Sequence, residues 1–200
     1  MQSLEDFLFN IDIPTGRPSQ GALLIAEPFL KESYFNHSVI CLTEHNPKGS
    51  VMGVVLNHQL PVSLRKTIDG ITRTDKIPVY CGGPMSRDRL FFIHTLPEII
   101  PDGHEIIDGL FISGDFDAMR RYVNSGGQIE GKIRFFVGYS GWTGLQLDEE
   151  ISNNVWAVSS FKNASNLLRG SGDTFWHRYV RLMGERYRGW QYHPINPLDN

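Results

Sequence analysis

The stretch Ser38–Leu56, SVICLTEHNPKGSVMGVVL, decides how this chain folds. It contains two apolar runs, Ser38–Thr43 and Val51–Leu56, separated by Glu44-His45-Asn46-Pro47-Lys48-Gly49. That six-residue connection is rich in turn formers, and the whole pattern predicts a β-hairpin. The runs are continuous and do not alternate with polar residues. Strands of that kind are covered on both faces, so the hairpin belongs to a sheet held inside the molecule.

Working outward, similar runs predict strands at Ala22–Ala26, Pro78–Cys81, Leu90–His94, Leu110–Ser113, Ile133–Gly138 and Val155–Ser159. Helices are predicted at Ser3–Asn10, closed by Pro14, Gly16 and Pro18, and at Ser63–Ile68, capped by Ser63. A third is expected at Phe116–Asn124, opened by Asp115 and stopped by Gly126, with Phe116, Met119 and Val123 on one face. Leu145–Ile151 carries Asp148, Glu149 and Glu150 as first-turn acids, and Asp173 caps Thr174–Tyr187. His193–Asn200 reads as an irregular tail. About eight strands and several helices, without a repeat or a break in composition, predict one mixed α/β domain over residues 1–200.

Composition sets the outer bounds. The chain has 200 residues, 40% hydrophobic and 12% aromatic, enough to bury a sizeable core and too apolar for disorder. A formal net charge of −3 excludes the chain as a whole as a partner for nucleic acid or anionic lipid. Glu5 and Asp6 stand where a secretory signal carries basic residues. Apolar runs such as Leu23–Ala26 and Leu90–Ile93 fall far short of the roughly 20 residues that span a bilayer, so no membrane is expected. Cys41 and Cys81 lie in apolar segments with no metal-site spacing; reduced thiols and a cytoplasmic location are expected.

Several segments together carry a family pattern: Gly21-Ala-Leu-Leu-Ile-Ala-Glu-Pro28, Ser38–His45, Gly49-x-x-x-Gly53-Val-Val-Leu-Asn57, Gly82-Gly-Pro84, and Arg134-Phe-Phe-Val-Gly-Tyr-Ser-Gly-Trp142 with Gln146-Leu-x-x-Glu150 after it. Trp176, Leu182-Met-Gly184 and a Pro194…Pro197 tail complete it. In this order and spacing the chain resembles the YqgE/AlgH family of small bacterial proteins, from about Gly16 to its end. The resemblance implies a mixed α+β fold around a large, partly barrel-like β-sheet flanked by helices. It brings no catalytic residues with it; one branch is described as a transcriptional regulator of exopolysaccharide production. Two departures stand out. An arginine common before the family's Ser-Val strand is here Asn36-His37, which removes support for an anion site at that point. The frequent Gly-Gln-Leu is here Gly144-Leu145-Gln146-Leu147, an adjustment of the join between loop and helix.

Two glycine-rich strand exits are the candidate ligand site: Gly82, Gly83 and Pro84, and Gly138, Tyr139, Ser140, Gly141 and Trp142. Glycines permit close backbone approach and free amides, and Tyr139 and Trp142 add an apolar wall. The second segment, read as a loop before a helix, is not a P-loop, because no Gly-Lys-Ser/Thr follows, and its downstream acids repel phosphate. Ser140 lacks the second glycine of a nucleophile elbow, since Trp142 stands there. Cys81 reads as a structural thiol. The hairpin brings His37, His45 and His58 into the same region, and His94 and His104 bracket Glu98 and Asp102, but neither set has ligand spacing. No metal or cofactor is expected. Lys162, Arg169, Arg178, Arg181, Arg186 and Arg188 make the last third basic, without a DNA- or RNA-reading motif.

These readings predict a non-catalytic binding or regulatory protein with a small-molecule or protein partner. The alternative is a small-metabolite hydrolase or transferase using the same cleft, and a third reading is direct DNA contact by the basic C-terminal helix.

Overall fold

A computed structural model describes residues 17–31 and 34–193. The predicted helix Ser3–Asn10 and the tail beyond His193 lie outside them. In chain order the elements are β1 (Leu23–Ala26), β2 (Val39–His45), β3 (Ser50–Val55), β4 (Gln59–Ser63), α1 (Leu64–Thr67), β5 (Pro78–Cys81), β6 (Met85–His94), β7 (His104–Ile107) and β8 (Leu110–Ile112). Then follow α2 (Phe116–Asn124), β9 (Ile133–Thr143), α3 (Gly144–Ser152), β10 (Trp156–Ser159), α4 (Ala164–Leu167), α5 (Gly172–Leu182) and a 3-10 helix, Glu185–Tyr192.

The strands form one ten-stranded sheet in the order β10-β1-β2-β3-β9-β6-β8-β7, with β4 and β5 attached to the side of β9. All pairings are antiparallel except β5 with β9, so the sheet is mixed, as the predicted fold class requires. The hairpin from Ser38 to Leu56 forms β2 and β3, with Ile40 opposite Val55 and His45 opposite Val51. The eleven-residue β9 is the spine. Its first half lies between β5 and β6, and its second half pairs with β3.

Both faces of the hairpin are covered. Leu23, Ile25, Val39, Cys41, Val54 and Leu56 pack against Phe175, Trp176 and Val180 of α5. Leu24, Ala26, Ile40, Leu42 and Val55 pack on the other side against Trp142, Leu147 and Trp156. Each such side chain contributes about 1.5–3 kcal/mol on burial, which sets the register of the hairpin. A third cluster, with Leu64, Val79, Phe92 and Phe135, lies under Met119 and Val123 of α2. The predicted cap of α2 is present: the Asp115 carboxylate accepts from the Ala118 amide at 2.8 Å.

The structure corrects the sequence reading in four places. Gly138–Trp142 is not a loop, because β9 continues to Thr143 and pairs Ser140 with Gly53 and Trp142 with Val51. α3 begins at Gly144, capped by the Thr143 hydroxyl, so Asp148–Glu150 lie beyond its first turn. α5 stops at Leu182, where Gly184 at φ 87° breaks the helix and the chain continues as a 3-10 turn. Strands β4 and β7 were not predicted. β4 contains Pro61, which reads against a strand and is tolerated because β4 sits off the main strand path, paired with β5.

Candidate functional site

The two glycine-rich segments do meet, but as backbone against backbone. The Gly82 amide donates to the Val137 carbonyl at 2.9 Å, and the Gly82 carbonyl accepts from the Val55 amide at 3.0 Å. A Cβ on Gly82 would stand 2.2 Å from the Gly138 carbonyl oxygen, and one on Gly138 would stand 2.6 Å from that of Gly83. These glycines let β5, β6 and β9 cross closely. Ser140 is fully buried and its hydroxyl donates to the Gly82 carbonyl at 3.1 Å, so it is a strand tie and not an exposed nucleophile. Tyr139 is half-buried and packs edge-on against Phe91. Both cysteines are free; burial pushes the Cys41 thiol up to about 12.

Pro84, Gly141 and Trp142 open instead onto an adjoining pocket of about 370 Å³. Three elements build it. β9 carries Trp142, β10 carries Trp156, and α3 projects Gln146 and Glu150 from one face at i,i+4 spacing. Phe35, from the turn before β2, completes the aromatic set: its ring is 5.6 Å from that of Trp156 and 6.4 Å from that of Trp142. Both indole N–H groups donate to Glu150 Oε2, Trp142 at 2.8 Å and Trp156 at 2.7 Å. Gln146 donates to Oε1 at 2.8 Å. Among the described residues, every donor on this carboxylate is neutral, and no Lys, Arg or His lines the pocket. The sequence reading placed Glu150 as a helix acid and in the family segment Gln146-Leu-x-x-Glu150, and Trp156 only in a strand. No local spacing marks them as partners, because the partnership is made by the turn from β9 into α3 and by β10.

The histidines sort differently from the predicted groups. Of the predicted group His37, His45 and His58, His58 lies beside His37, against the Asn36–His37 backbone, whereas His45 sits at the far end of β2. His37 is fully buried and stacks on Trp176 at 3.9 Å, and its Nδ1 lies 2.5 Å from Asp173 Oδ1. His177, one turn along α5, places Nδ1 3.1 Å from Asp173 Oδ2. Asn57 ties this corner together. Its side chain accepts from the Val39 amide and donates to the carbonyls of His37 and Gly172 at 2.9, 2.9 and 3.0 Å. His58 is held below the usual histidine range, chiefly by burial. His94 is a core histidine: Nδ1 accepts from the Leu96 amide, Nε2 faces the Ser113 carbonyl, and burial lowers its pKa.

Some of the late arginines are engaged. Arg178 donates to the Arg169 carbonyl at 2.6 Å and lies over the Phe175 ring, Arg186 lies over Tyr187, and Arg188 pairs with Glu185. Arg134, which the sequence reading named only as the start of a family segment, is a buried arginine. It donates to the carbonyls of Leu56 and Gly170 at 2.6 and 2.8 Å and stacks over Tyr80 at 4.4 Å, and burial lowers its pKa. Among the described residues, no helix is long and apolar enough to cross a membrane.

Comparison with known proteins agrees with the fold. A UPF0301 protein of Parabacteroides distasonis is 46% identical over 184 residues, covering 92% of this chain and 92% of the relative. One from Bacteroides thetaiotaomicron is 38% identical and covers 99% of this chain and all (100%) of the relative. Among solved structures, protein DIP2367 from Corynebacterium diphtheriae superposes with a TM-score of 0.66 at 22% identity, covering 94% of this chain and 99% of that one. The AlgH protein of Pseudomonas aeruginosa superposes at 0.64 with 25% identity, covering 84% and 90%. The profile of the DUF179, AlgH-like family matches residues 23–188. The chain thus belongs to the AlgH-like family.

Proposed function

We propose that this chain is a single-domain, cytoplasmic, non-catalytic binding protein that takes a small organic cation, of the substituted-ammonium class, into the pocket between Trp142 and Trp156. One observation carries the reading: among the described residues, the Glu150 carboxylate is held at the wall of an aromatic cavity by neutral donors alone. A cation supplies the missing charge, and each aromatic face adds about 0.5–2 kcal/mol to a cation that has lost its water. Pro84, Gly141 and Trp142 touch the ligand. Gly82, Gly83, Gly138, Tyr139 and Ser140 hold the strand crossing that forms the wall. Ser140 is closed off by its bond to Gly82, and His37 is closed off by burial, which favours binding over hydrolase or transferase chemistry. Any influence on transcription then runs through a ligand-dependent partner; Arg178 of the basic set is already held by the Arg169 carbonyl and the Phe175 ring.

The test is a tryptophan-fluorescence titration with choline and with its uncharged isostere 3,3-dimethylbutan-1-ol, at constant ionic strength. Choline is expected to quench saturably, with the alcohol and the Glu150→Gln variant each at least about tenfold weaker. Equal responses to choline and the alcohol, or no saturable response to choline, refute the reading.

A further inference from the structure

On the opposite face of the hairpin from that pocket, the geometry points to a site for one divalent transition-metal ion of the zinc class, formed by His37, Asp173 and His177. The three residues each present a ligand atom, and these atoms lie within 4.8 Å of one another. The nearest pairs, His37 Nδ1 with Asp173 Oδ1 at 2.5 Å and His177 Nδ1 with Asp173 Oδ2 at 3.1 Å, are hydrogen-bond contacts, both shorter than the roughly 3.3 Å between neighbouring ligands of a tetrahedral zinc with bonds of about 2.0–2.1 Å, so the side chains move apart by less than about 1 Å to admit the ion. Two imidazoles and a carboxylate are the donors that borderline divalent ions prefer.

The site is organised before any ion arrives. Asp173 and His177 stand one turn apart on α5, which fixes their separation. His37 reaches them from another part of the chain because its backbone adopts φ 46°, an unusual value for a residue other than glycine. The Asn57 side chain holds that conformation through the His37 carbonyl and ties the same corner to Gly172 at the start of α5. The His37 ring is clamped flat on Trp176, whose indole is itself anchored to the Ala26 carbonyl at 3.0 Å. One side stays open: the Asp173 and His177 side chains are 38% and 22% exposed, whereas that of His37 is 0% exposed. That asymmetry leaves an entry path and a solvent-facing fourth position.

The test uses the full chain, stripped with chelator and titrated with Co²⁺ and then Zn²⁺. One equivalent of Co²⁺ is expected to give the visible absorption of a low-coordinate nitrogen and oxygen site, and Zn²⁺ is expected to displace it and raise the melting temperature. His177→Ala and Asp173→Asn, both at partly exposed side chains and checked for native near-UV circular dichroism, are expected to weaken binding at least about tenfold. His45→Ala and His104→Ala, at histidines outside the cluster, are expected to leave it unchanged. Absence of stoichiometric binding to the wild-type chain overturns the proposal, as does binding that survives both cluster variants or is lost equally in the two controls.

Discussion

Asn57 offers the sharpest test of how this molecule is held together, because one small amide serves three backbone groups from distant parts of the chain. Its Oδ1 accepts from the Val39 amide at 2.9 Å, and its Nδ2 donates to the His37 carbonyl at 2.9 Å and the Gly172 carbonyl at 3.0 Å. Val39 and His37 are both fully buried, so truncation of Asn57 to alanine leaves a donor and an acceptor without water. An orphaned buried group costs about 1–3 kcal/mol. The Gly172 carbonyl belongs to an exposed residue and finds solvent at little cost. The direct Asn57 carbonyl to Gly172 amide bond, at 2.7 Å, survives the change because it is main chain. Two orphaned groups therefore set the expected loss for Asn57→Ala at about 2–6 kcal/mol, or a drop in melting temperature of roughly 4–24 °C for a chain of this size.

Asn57→Asp separates hydrogen bonding from shape. It keeps the acceptor for Val39 and the side-chain volume, but it turns a carboxylate oxygen toward two carbonyls in place of a donor. The cost should equal or exceed that of alanine at neutral pH and shrink in acid as the carboxyl protonates and can donate again. Urea unfolding followed by far-UV circular dichroism measures both. A shift of the midpoint at unchanged slope is expected, and an Asn57→Ala loss below about 0.5 kcal/mol refutes the assignment of Asn57 as the tie.

The glycines divide by what a Cβ would meet. Gly82→Ala drives a methyl to 2.2 Å from the Gly138 carbonyl and should cost about 3 kcal/mol or more, whereas Gly141→Ala meets nothing closer than 3.4 Å and should change stability by less than about 0.5 kcal/mol, both read from urea midpoints. Cys41 ionises only near 12 in the folded chain, above its ordinary value of 9.0, so it contributes stability that is complete below pH 9 and falls as pH rises toward 12. That loss runs at up to about 1.4 kcal/mol per pH unit, and the difference between wild type and Cys41→Val across that window should show it. Arg134→Met removes the bonds to Leu56 and Gly170 while keeping the apolar stem, and a loss of about 2–4 kcal/mol in thermal or urea unfolding is expected.

How much of this was legible in the sequence follows from the range of each interaction. The hairpin, the two-sided burial of its strands and the α2 cap rest on neighbours a few residues apart, and periodicity and turn chemistry report those directly. β9 was cut short at Gly138 because glycine reads as a strand end. Here its φ of 73° only bends a strand whose partners on β3 and β6 keep it paired, and that pairing is tertiary. Gly82, Gly83 and Gly138 make close contacts where the strands cross, but composition cannot say whether a glycine's close contact is with a ligand or with another strand. Trp142 and Glu150 appeared in family segments and Trp156 did not, and none was marked as a partner of another, because the convergence of both indoles on the Glu150 carboxylate needs three elements in place. The His37 and Asp173 pair spans 136 residues, and the Trp176 bond to Ala26 spans 150. No window along the chain contains both ends.

The same turn governs both proposed sites, and the reason lies in the parity of a strand. Along β2, Val39 and Cys41 face α5 while Ile40 and Leu42 face Trp142 and Trp156. Continued backward as an ideal strand, that alternation would send His37 and Phe35 to the α5 face together. The left-handed backbone at His37 breaks the alternation: the His37 ring still stacks on Trp176, but Phe35 two residues earlier packs with Trp142 and Trp156 on the other face. A histidine accepts that backbone less readily than glycine or asparagine, so the turn needs a brace, and Asn57 supplies it from the end of β3. The departure from the family pattern at Asn36-His37 therefore sits where one backbone torsion assigns a ring to each side of the sheet. Loosening Asn57 should disturb the aromatic pocket and the His37 cluster in a single step, although neither site touches the other.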